Sequence, residues 1–484
     1  MYGTNMVLAR NLGVENFGHY NFLLTSFVGI LQMMDMSSSE AFYTFISKKK
    51  QGMRFFVLYA VWLGVQMAFV LVCVAFLLPD NWISGLWLGH AKGLIILAFL
   101  STFVVERVWN MVVNIGESIR KTIIVQVTTL CIVTAHFAII ITLVKLKLLT
   151  VSVIFAMTIF EYILAAICLS LKLGFGNVVS EEEYTYQDLL YMFRNYCTPL
   201  LAYGVIGFMY EFSDRWLLQR YGGAREQGFY FASLQLANVC LLFTTSIVKV
   251  FWKEISEAHH NNDKFKMNNL YDTISKATFF ITAFVICFMF VFSKEILCLI
   301  LGYDYSGGWK TFSLLLAYPL AQTLWQTCGV YLQATNNTKV YARIVSPVKM
   351  LSIPLAYIML APGALSWPGF GLASLGLAIK VVLSQFVGVV IMTYVISRMG
   401  NISNNMRIYA KNIAILITVA YICKFSITTI LAILVCNIPL IAFIASGLIY
   451  ALLVWFILVS WPTLIGFDMT ALKKVYHVHS CRSV

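Results

Sequence analysis

The chain has 484 residues, of which 60% are hydrophobic and only 11% are charged. This balance excludes a soluble protein, whose solvated surface needs far more polar residues. The net charge of +13 would suit a nucleic-acid partner, but the Lys and Arg residues are spread over short loops instead of one basic domain. No nucleic acid is therefore expected as a partner.

Apolar runs long enough to cross a bilayer recur along the whole chain. About 20 helical residues cross the roughly 30 Å hydrocarbon layer, whereas barrel strands would be about half as long and would alternate apolar with polar residues. The runs predict an all-α polytopic membrane protein. Thirteen spans are expected, at residues 17–45, 53–78, 93–115, 122–144, 148–171, 195–218, 229–250, 276–301, 309–334, 341–361, 370–397, 408–430 and 433–461.

The basic loops predict the orientation of these spans. When the connections alternate between the two sides, one side holds about twice as many Lys and Arg residues, including Lys48, Lys49, Lys50 and the tail. Basic loops stay in the cytoplasm, so the C-terminus is expected there. An odd number of spans then leaves the N-terminus outside, yet residues 1–16 contain no signal peptide. We therefore expect that a first helix is missing.

A short pattern recurs 210 residues later in the chain, and each copy leads into an apolar span. The copies are Arg10, Gly13, Gly18, Tyr20 and Arg220, Gly223, Gly228, Tyr230. Glycine adopts positive φ most easily, so Gly13, Gly18, Gly223 and Gly228 are expected to form tight turns. Parallel repeats are common in transporters, with the substrate held between the two halves.

The repeat predicts two parallel-related six-helix bundles, the first without its first helix, followed by two further helices. The expected bounds are 1–175 for the N-terminal bundle, 176–400 for the C-terminal bundle, 401–465 for the two additional helices and 466–484 for a basic cytoplasmic tail.

The opening of the chain carries a recognisable motif. It reads ArgAsnLeuGlyValGluAsnPheGly from Arg10 to Gly18, then Tyr20, then Asp35 before a small-residue stretch, then Ile46 to Lys50. With these residues the chain resembles the O-antigen and capsule flippases of the multidrug, oligosaccharidyl-lipid and polysaccharide exporter superfamily. The resemblance covers about residues 9–50 and 215–238. Members normally have a helix before ArgXaaLeuGly, and this chain departs from that pattern.

The resemblance implies that the protein moves an undecaprenyl-diphosphate-linked oligosaccharide from the cytoplasmic to the periplasmic leaflet of a bacterial inner membrane. It implies as partners this lipid-linked substrate, a proton or sodium gradient and membrane lipids, together with polymerase and chain-length proteins of the same pathway.

Polar stripes mark two of the expected spans. The first consists of Thr102, Glu106, Asn110, Asn114 and Glu117, and the second of Tyr318, Gln322, Gln326, Gly329 and Gln333. Polar residues in a bilayer bond to neighbouring helices or line a wet cavity. We expect the cavity, in which Asn110, Gln322 and Gln326 bond sugar hydroxyls.

A diphosphate needs fixed positive charge from Arg or Lys. The candidates lie in or beside apolar spans and are Arg10, Arg107, Arg215, Lys249, Lys349, Lys380 and Lys424. Glu211 could neutralise Arg215 within one helix, and the lysine stems could snorkel to an interface. Arg107 cannot face the same way as Glu106, so it needs a ligand or a partner on another helix.

Uphill export needs energy, and the sequence contains no GxxxxGK[ST] phosphate loop. Ion coupling through an intramembrane carboxylate is therefore expected. The available carboxylates are Asp35, Glu40, Glu106, Glu161 and Asp214. Asp35 is favoured because its position resembles the family pattern, and Glu106 is the second choice.

No catalytic, metal or cofactor site is expected. The 11 cysteines include no CxxC pair, and His136 stands alone on an apolar span, as a hydrogen-bonded packing residue would. Two alternative functions remain open. A cation-coupled drug or toxin exporter of the same superfamily should have fewer cavity cations, and a membrane oligosaccharide polymerase or ligase should have a large external loop.

Overall fold

The computed structural model describes residues 2–174, 184–363, 368–400, 402, 405–433 and 439–460. Helices make up the regular elements of these residues. They are α1 (Tyr2–Asp35), α2 (Ser38–Lys48), α3 (Met53–Val72), α4 (Asp80–Leu86), α5 (Lys92–Phe103), α6 (Asn110–Ser118), α7 (Thr122–Lys145), α8 (Val151–Leu173), α9 (Tyr186–Asn238), α10 (Leu241–His260), α11 (Lys264–Val291), α12 (Ser293–Leu301), α13 (Trp309–Leu315), α14 (Ala317–Ala334), α15 (Thr338–Leu360), α16 (Ala373–Gly400), α17 (Met406–Ile433) and α18 (Pro439–Ser460). Two π segments, Cys73–Leu77 and Val104–Trp109, and a 3₁₀ turn, Tyr303–Gly308, join some of them.

Nine helical stretches in the described part of the chain are long and apolar enough to cross a membrane, or ten if one bent helix pair is a single span. This confirms an all-helical, multi-pass membrane protein. The four spans expected between residues 53 and 171 correspond to Met53–Leu77, Lys92–Ser118, Thr122–Lys145 and Val151–Leu173. Among the described residues, the spans expected at 17–45 and 309–334 have no counterpart among these nine, and those expected at 195–218 and 229–250 fall in the bent pair.

The first expected span, 17–45, is two helices instead of one. Met36 and Ser37 adopt positive φ, 49° and 61°, and this turn separates α1 from α2. The Asp35 carboxylate accepts hydrogen bonds at 3.3 Å from the backbone N–H of Ser39 in the first turn of α2, as an N-terminal capping side chain does. The break lies in a short polar stretch, Asp35 to Glu40, inside the expected span.

The expected polar stripe between residues 102 and 117 is interrupted by the π segment Val104–Trp109. A π turn contains more residues than an α turn, so the side chains before and after it do not keep one 3.6-residue phase. Thr102 is buried and donates to the carbonyl of Ala98 at 2.8 Å, whereas Asn110 is exposed.

The chain forms two compact units. The first consists of Met1–Ala232 and Ile353–Leu377, and the second of Ser233–Ser352 and Ala378–Val484. The bounds expected at 175 and 400 stay predictions, and the expected tail at 466–484 lies outside the described residues.

The first unit is packed around aromatic side chains. Its fully buried rings include Phe22, Phe27, Phe42, Phe55 and Phe99. The rings of Phe42 and Tyr59 stack with centroids 4.1 Å apart. Such close contacts hold helices together where lipid removes most of the hydrophobic driving force. This packing fixes α2 against α3.

The second unit is built on α11, which packs against α10, α14 and α17. Polar contacts cross its core, since the Tyr271 hydroxyl lies 3.3 Å from the Cys328 sulfur and Tyr331 donates to Asn268 at 3.1 Å. These hydrogen bonds satisfy hydroxyl groups that would otherwise be buried without partners.

The two copies of the repeat use their glycines in two ways. Gly13 and Gly223 interrupt α1 and α9 with positive φ, 76° and 79°. The turns expected at Gly18 and Gly228 are wrong, because both residues are helical. A methyl group at Gly18 would overlap the carbonyl oxygen of Ala224, and one at Gly228 would overlap that of Val14.

This close approach is reciprocal. Ala224 and Gly228 stand 210 residues after Val14 and Gly18, so each copy places its second glycine on the same backbone atom of the other copy. Two equivalent segments that meet through the same residues in both directions form a self-complementary contact. The contact supports the internal repeat that the sequence spacing predicts.

Candidate functional site

A buried pair of opposite charges lies in the first unit. Arg107 Nη1 is 3.0 Å from Asp35 Oδ1, and both residues are only 7% exposed. Asp35 is the last residue of α1, and the π segment Val104–Trp109 presents Arg107. Arg107 Nη2 also donates to the carbonyl of Leu31 at 2.5 Å. Arg107 thus has the partner on another helix that its position beside Glu106 requires.

Serine hydroxyls complete the polar surroundings of Asp35. Ser38 and Ser39 donate to Asp35 Oδ1 at 2.9 and 2.8 Å. The Ser39 hydroxyl also lies 3.0 Å from Arg107 Nη1 and 3.1 Å from the Tyr59 hydroxyl, and Trp62 donates to Ser38 at 3.0 Å. The carboxylate is therefore held by α2, α3 and the π segment.

The pair is electrically neutral as a unit, which reduces the cost of burying either charge. Its hydrogen bonding is incomplete, because Arg107 Nε is buried without a hydrogen-bond partner. Most donors of the guanidinium are already used in this arrangement. Binding of a diphosphate by Arg107 would first require it to leave Asp35, so that role stays a prediction.

A cavity of about 310 Å³ adjoins this pair. Its walls come from α3 and α9, with Asp35, Met36 and Ser38 at one edge. The apolar wall consists of Leu58, Val61, Trp62, Val65, Leu190 and Phe193. Pockets for lipophilic ligands are mostly apolar, with a few polar groups that fix orientation, and this cavity has that composition.

Arg194 is the cation of this cavity, and sequence reasoning missed it. It lines the cavity beside Cys197 and is exposed, and it forms no ion pair with any described residue. With Asp35 and Arg107 neutralising each other, Arg194 supplies the net positive charge. It lies just before the span expected at 195–218, whereas α9 begins eight residues before Arg194, at Tyr186.

The structure places Arg215 against aromatic rings. Its guanidinium carbon lies 5.3 Å from the ring centre of Tyr230 and 4.3 Å from that of Phe231, which are cation–π distances. No ion pair joins Arg215 to Glu211, both of which are among the described residues. Arg10 is exposed on α1 and has a partner of its own.

Two other expected residues lie near the charged pair in sequence. Glu106 is half-buried next to Arg107, and Asn110 is exposed and donates to the carbonyl of Glu106 at 3.1 Å.

His136 has a partner on the neighbouring helix, since its Nδ1 lies 2.5 Å from Glu161 Oε2. The other oxygen of Glu161 is buried without a hydrogen-bond partner.

The remaining candidates lie in the second unit. Lys380 is fully buried and has a partner, and Lys349 is half-buried and also has one. Gln385 donates a hydrogen bond to Gln322, and Gln326 has a buried oxygen without a partner. Lys424 donates to Glu295 at 2.6 Å. The side chain of Lys249 lies outside the described residues. Their role as substrate ligands stays a prediction.

No three His, Cys, Asp or Glu side chains within the described ranges come together as metal ligands would.

Comparison with known proteins places the fold and the family. The family model described as "Polysaccharide biosynthesis protein" matches residues 7–308. A structure of the lipid II flippase MurJ in an inward closed conformation is similar over 95% of this chain and 98% of that chain, with 15% identity and a TM-score of 0.66. No protein among the curated sequences matches the chain.

Two transporters of the MOP superfamily share the fold. An inward-facing structure of a multidrug resistance MATE family transporter has a TM-score of 0.62 at 12% identity, over 82% of this chain and 93% of that one. A MOP superfamily transporter from Pyrococcus furiosus has a TM-score of 0.52 at 12% identity, over 82% and 90%. At these identities the likeness shows the fold alone.

Proposed function

Because the chain belongs to the family of polysaccharide biosynthesis proteins, we propose that it flips an undecaprenyl-diphosphate-linked oligosaccharide across the bacterial inner membrane for O-antigen or capsule synthesis. The structural likeness to a lipid II flippase supports transport of a lipid-linked substrate. In this proposal the C-terminus is cytoplasmic, and polymerase and chain-length proteins act on the flipped product.

The cavity beside Asp35 is the observation that carries this proposal. Its apolar wall matches the hydrocarbon of an isoprenoid lipid, and Arg194 offers a fork of donors that suits a phosphate. Since Arg107 neutralises Asp35, the site has a surplus of positive charge. An anionic lipid therefore fits it better than the cationic drug of the alternative exporter function.

We also propose that an ion gradient drives transport through Asp35, with Glu106 as the second choice. A proton or sodium ion on the Asp35 carboxylate would replace Arg107 as its counter-charge. The guanidinium would then be available to the substrate, so cation binding and substrate binding would be linked through one residue.

A deletion strain tests the proposed function. Lipid-linked single repeat units should accumulate in the cytoplasmic leaflet, and the wild-type gene should clear them. Arg194→Gln should clear them at least tenfold more slowly, because each charge-assisted contact to a phosphate contributes about 1.5–3 kcal/mol. Arg343→Gln, an exposed arginine outside the cavity, should behave as wild type.

Accumulation of single units in the periplasmic leaflet would instead indicate a polymerase. Unchanged repeat units together with sensitivity to cationic toxins would indicate the drug exporter.

A further inference from the structure

A second cavity, distinct from the one beside Asp35, lies where the α2–α3 and α6–α7 connections meet in the first unit. Its volume is about 340 Å³, far above the roughly 15 Å³ that holds one water molecule. The end of α2 and the connection to α3 form one side, and the α6–α7 connection forms the other. The polar residues of its wall include Ser47, Lys48, Lys49, Lys50, Ser118 and Lys121.

The charge on this cavity has one sign. Four of its ten lining residues are lysines, and none of the ten is acidic. Lys48 and Lys50 are exposed and form no ion pair with any residue that the structure describes. Four ammonium groups around one cavity repel one another, and an anion between them relieves that repulsion.

Lys121 is held in place at this cavity. Its Nζ donates to the carbonyl of Leu173, the last residue of α8, at 2.9 Å. An ammonium group has three N–H donors, so this contact leaves two of them for a ligand. The bond also ties the end of α8 to the start of α7, which gives the cavity one rigid wall.

The cavity lies at the ends of candidate membrane spans, where lipid headgroups are expected. The spans Met53–Leu77 and Thr122–Lys145 begin beside it, and the span Lys92–Ser118 ends there. Ile46, Phe56 and Ile119 add an apolar part to its wall. Basic pockets between helices at this level bind anionic lipid headgroups.

We propose that this cavity binds the phosphate of a lipid headgroup, with Lys48, Lys50 and Lys121 as its ligands. Lysine suits a phosphate oxygen as a compact point charge. The apolar part of the wall and the headgroup depth favour a lipid over a free anion as the source of the phosphate. The site is separate from the one assigned to transport, so either assignment can fail while the other stands.

The test uses the full chain in nanodiscs of phosphatidylcholine with increasing amounts of phosphatidylglycerol, and bound lipid is counted by native mass spectrometry. Lys48→Gln/Lys50→Gln should weaken phosphatidylglycerol binding about tenfold, since the attraction of two lysines to an anionic bilayer surface together amounts to at least that factor. Lys48→Arg/Lys50→Arg should keep it. The matched control, Lys145→Gln/Lys147→Asn, removes two charges at the other end of α7 and should bind as wild type.

A free-anion arm separates the two sources of phosphate. Inorganic phosphate at the same concentration should not displace the lipid, and displacement by it would overturn the lipid assignment. If the test and control variants lost phosphatidylglycerol binding equally, the effect would be one of general surface charge and the site would be overturned. Unchanged binding by Lys48→Gln/Lys50→Gln would also overturn it. Thermal unfolding of each variant shows that it is folded, which is expected because Lys48 and Lys50 are exposed.

Discussion

The Asp35–Arg107 pair shows how one buried residue determines the role of another. The sequence indicates that Arg107 needs a partner away from Glu106, because adjacent helical residues point about 100° apart. It does not indicate which partner, since Asp35 lies 72 residues earlier in the chain. In the structure the two side chains lie 3.0 Å apart, with Asp35 at the end of α1, just before the turn at Met36 and Ser37, and Arg107 in the π segment.

Removing one member of this pair should destabilise the protein more than removing both. Arg107→Gln leaves the Asp35 carboxylate buried without its counter-charge, which costs about 3–5 kcal/mol. Asp35→Asn/Arg107→Gln removes both charges and should recover much of that loss. Thermal unfolding in detergent measures the difference, with Arg343→Gln as an exposed arginine control. A double variant destabilised by the sum of the Asp35→Asn and Arg107→Gln losses would mean that the pair carries no coupling energy.

Asp35 also allows a direct test of ion coupling. Asp35→Asn cannot exchange a proton or sodium ion for Arg107, so its transport rate should no longer respond to either gradient. Transport by this variant is measured with the proton and sodium gradients imposed separately. A response equal to that of the wild type would remove Asp35 from the coupling mechanism and leave Glu106 as the candidate.

At the scale of elements, the spacing of the glycines revealed the repeat, but it did not reveal what two of the four glycines do. Gly13 and Gly223 provide positive φ, as expected of a turn glycine. Gly18 and Gly228 instead allow two helical segments to touch. A sequence motif shows that a position is glycine, but not why. Both a positive φ and a close approach of two helices require glycine. The distinction requires the position of the other copy.

Gly18→Ala and Gly228→Ala should each be strongly destabilising, because the added methyl group meets a backbone carbonyl that cannot rotate away. Overpacking of this kind costs about 1–3 kcal/mol or more. Gly64→Ala is the matched control, since no atom lies within 4 Å of the added carbon there. Its unfolding temperature should equal or exceed that of wild type, because alanine favours a helix. A stable, active Gly18→Ala variant would show that the reciprocal contact is dispensable.

Helix positions were largely predictable between residues 53 and 171, where long apolar runs are bounded by charged or turn residues. The breaks at Met36–Ser37 and at the π segment Val104–Trp109 were not predicted, because each lies inside a stretch that is apolar over most of its length. Hydropathy measures how apolar a segment is and is insensitive to one inserted residue. The site residues that depend on those breaks, Ser38, Ser39 and Tyr59, were therefore missed.

At the scale of the whole molecule, composition alone excluded a soluble protein, and the opening motif indicated the family that the comparison then showed. The distribution of cations was harder to predict. Arg107 was expected in a substrate cavity and is paired with Asp35, whereas Arg194 was not among the expected cations and lines a cavity. The sequence shows which residues are charged. Whether a charged side chain can bind a ligand depends on its partners, which come from distant segments of the chain.

The proposed flippase function is tested most directly by measuring flipping by the purified protein. Undecaprenyl-diphosphate-linked oligosaccharide is placed in one leaflet of proteoliposomes, and its arrival in the other is followed with a membrane-impermeant glycan-modifying enzyme. Wild type and Arg343→Gln should transfer the substrate, and Arg194→Gln should transfer it at least tenfold more slowly. Transfer by Arg194→Gln at the wild-type rate, or no transfer above protein-free vesicles by a folded wild-type protein, would contradict the proposed function.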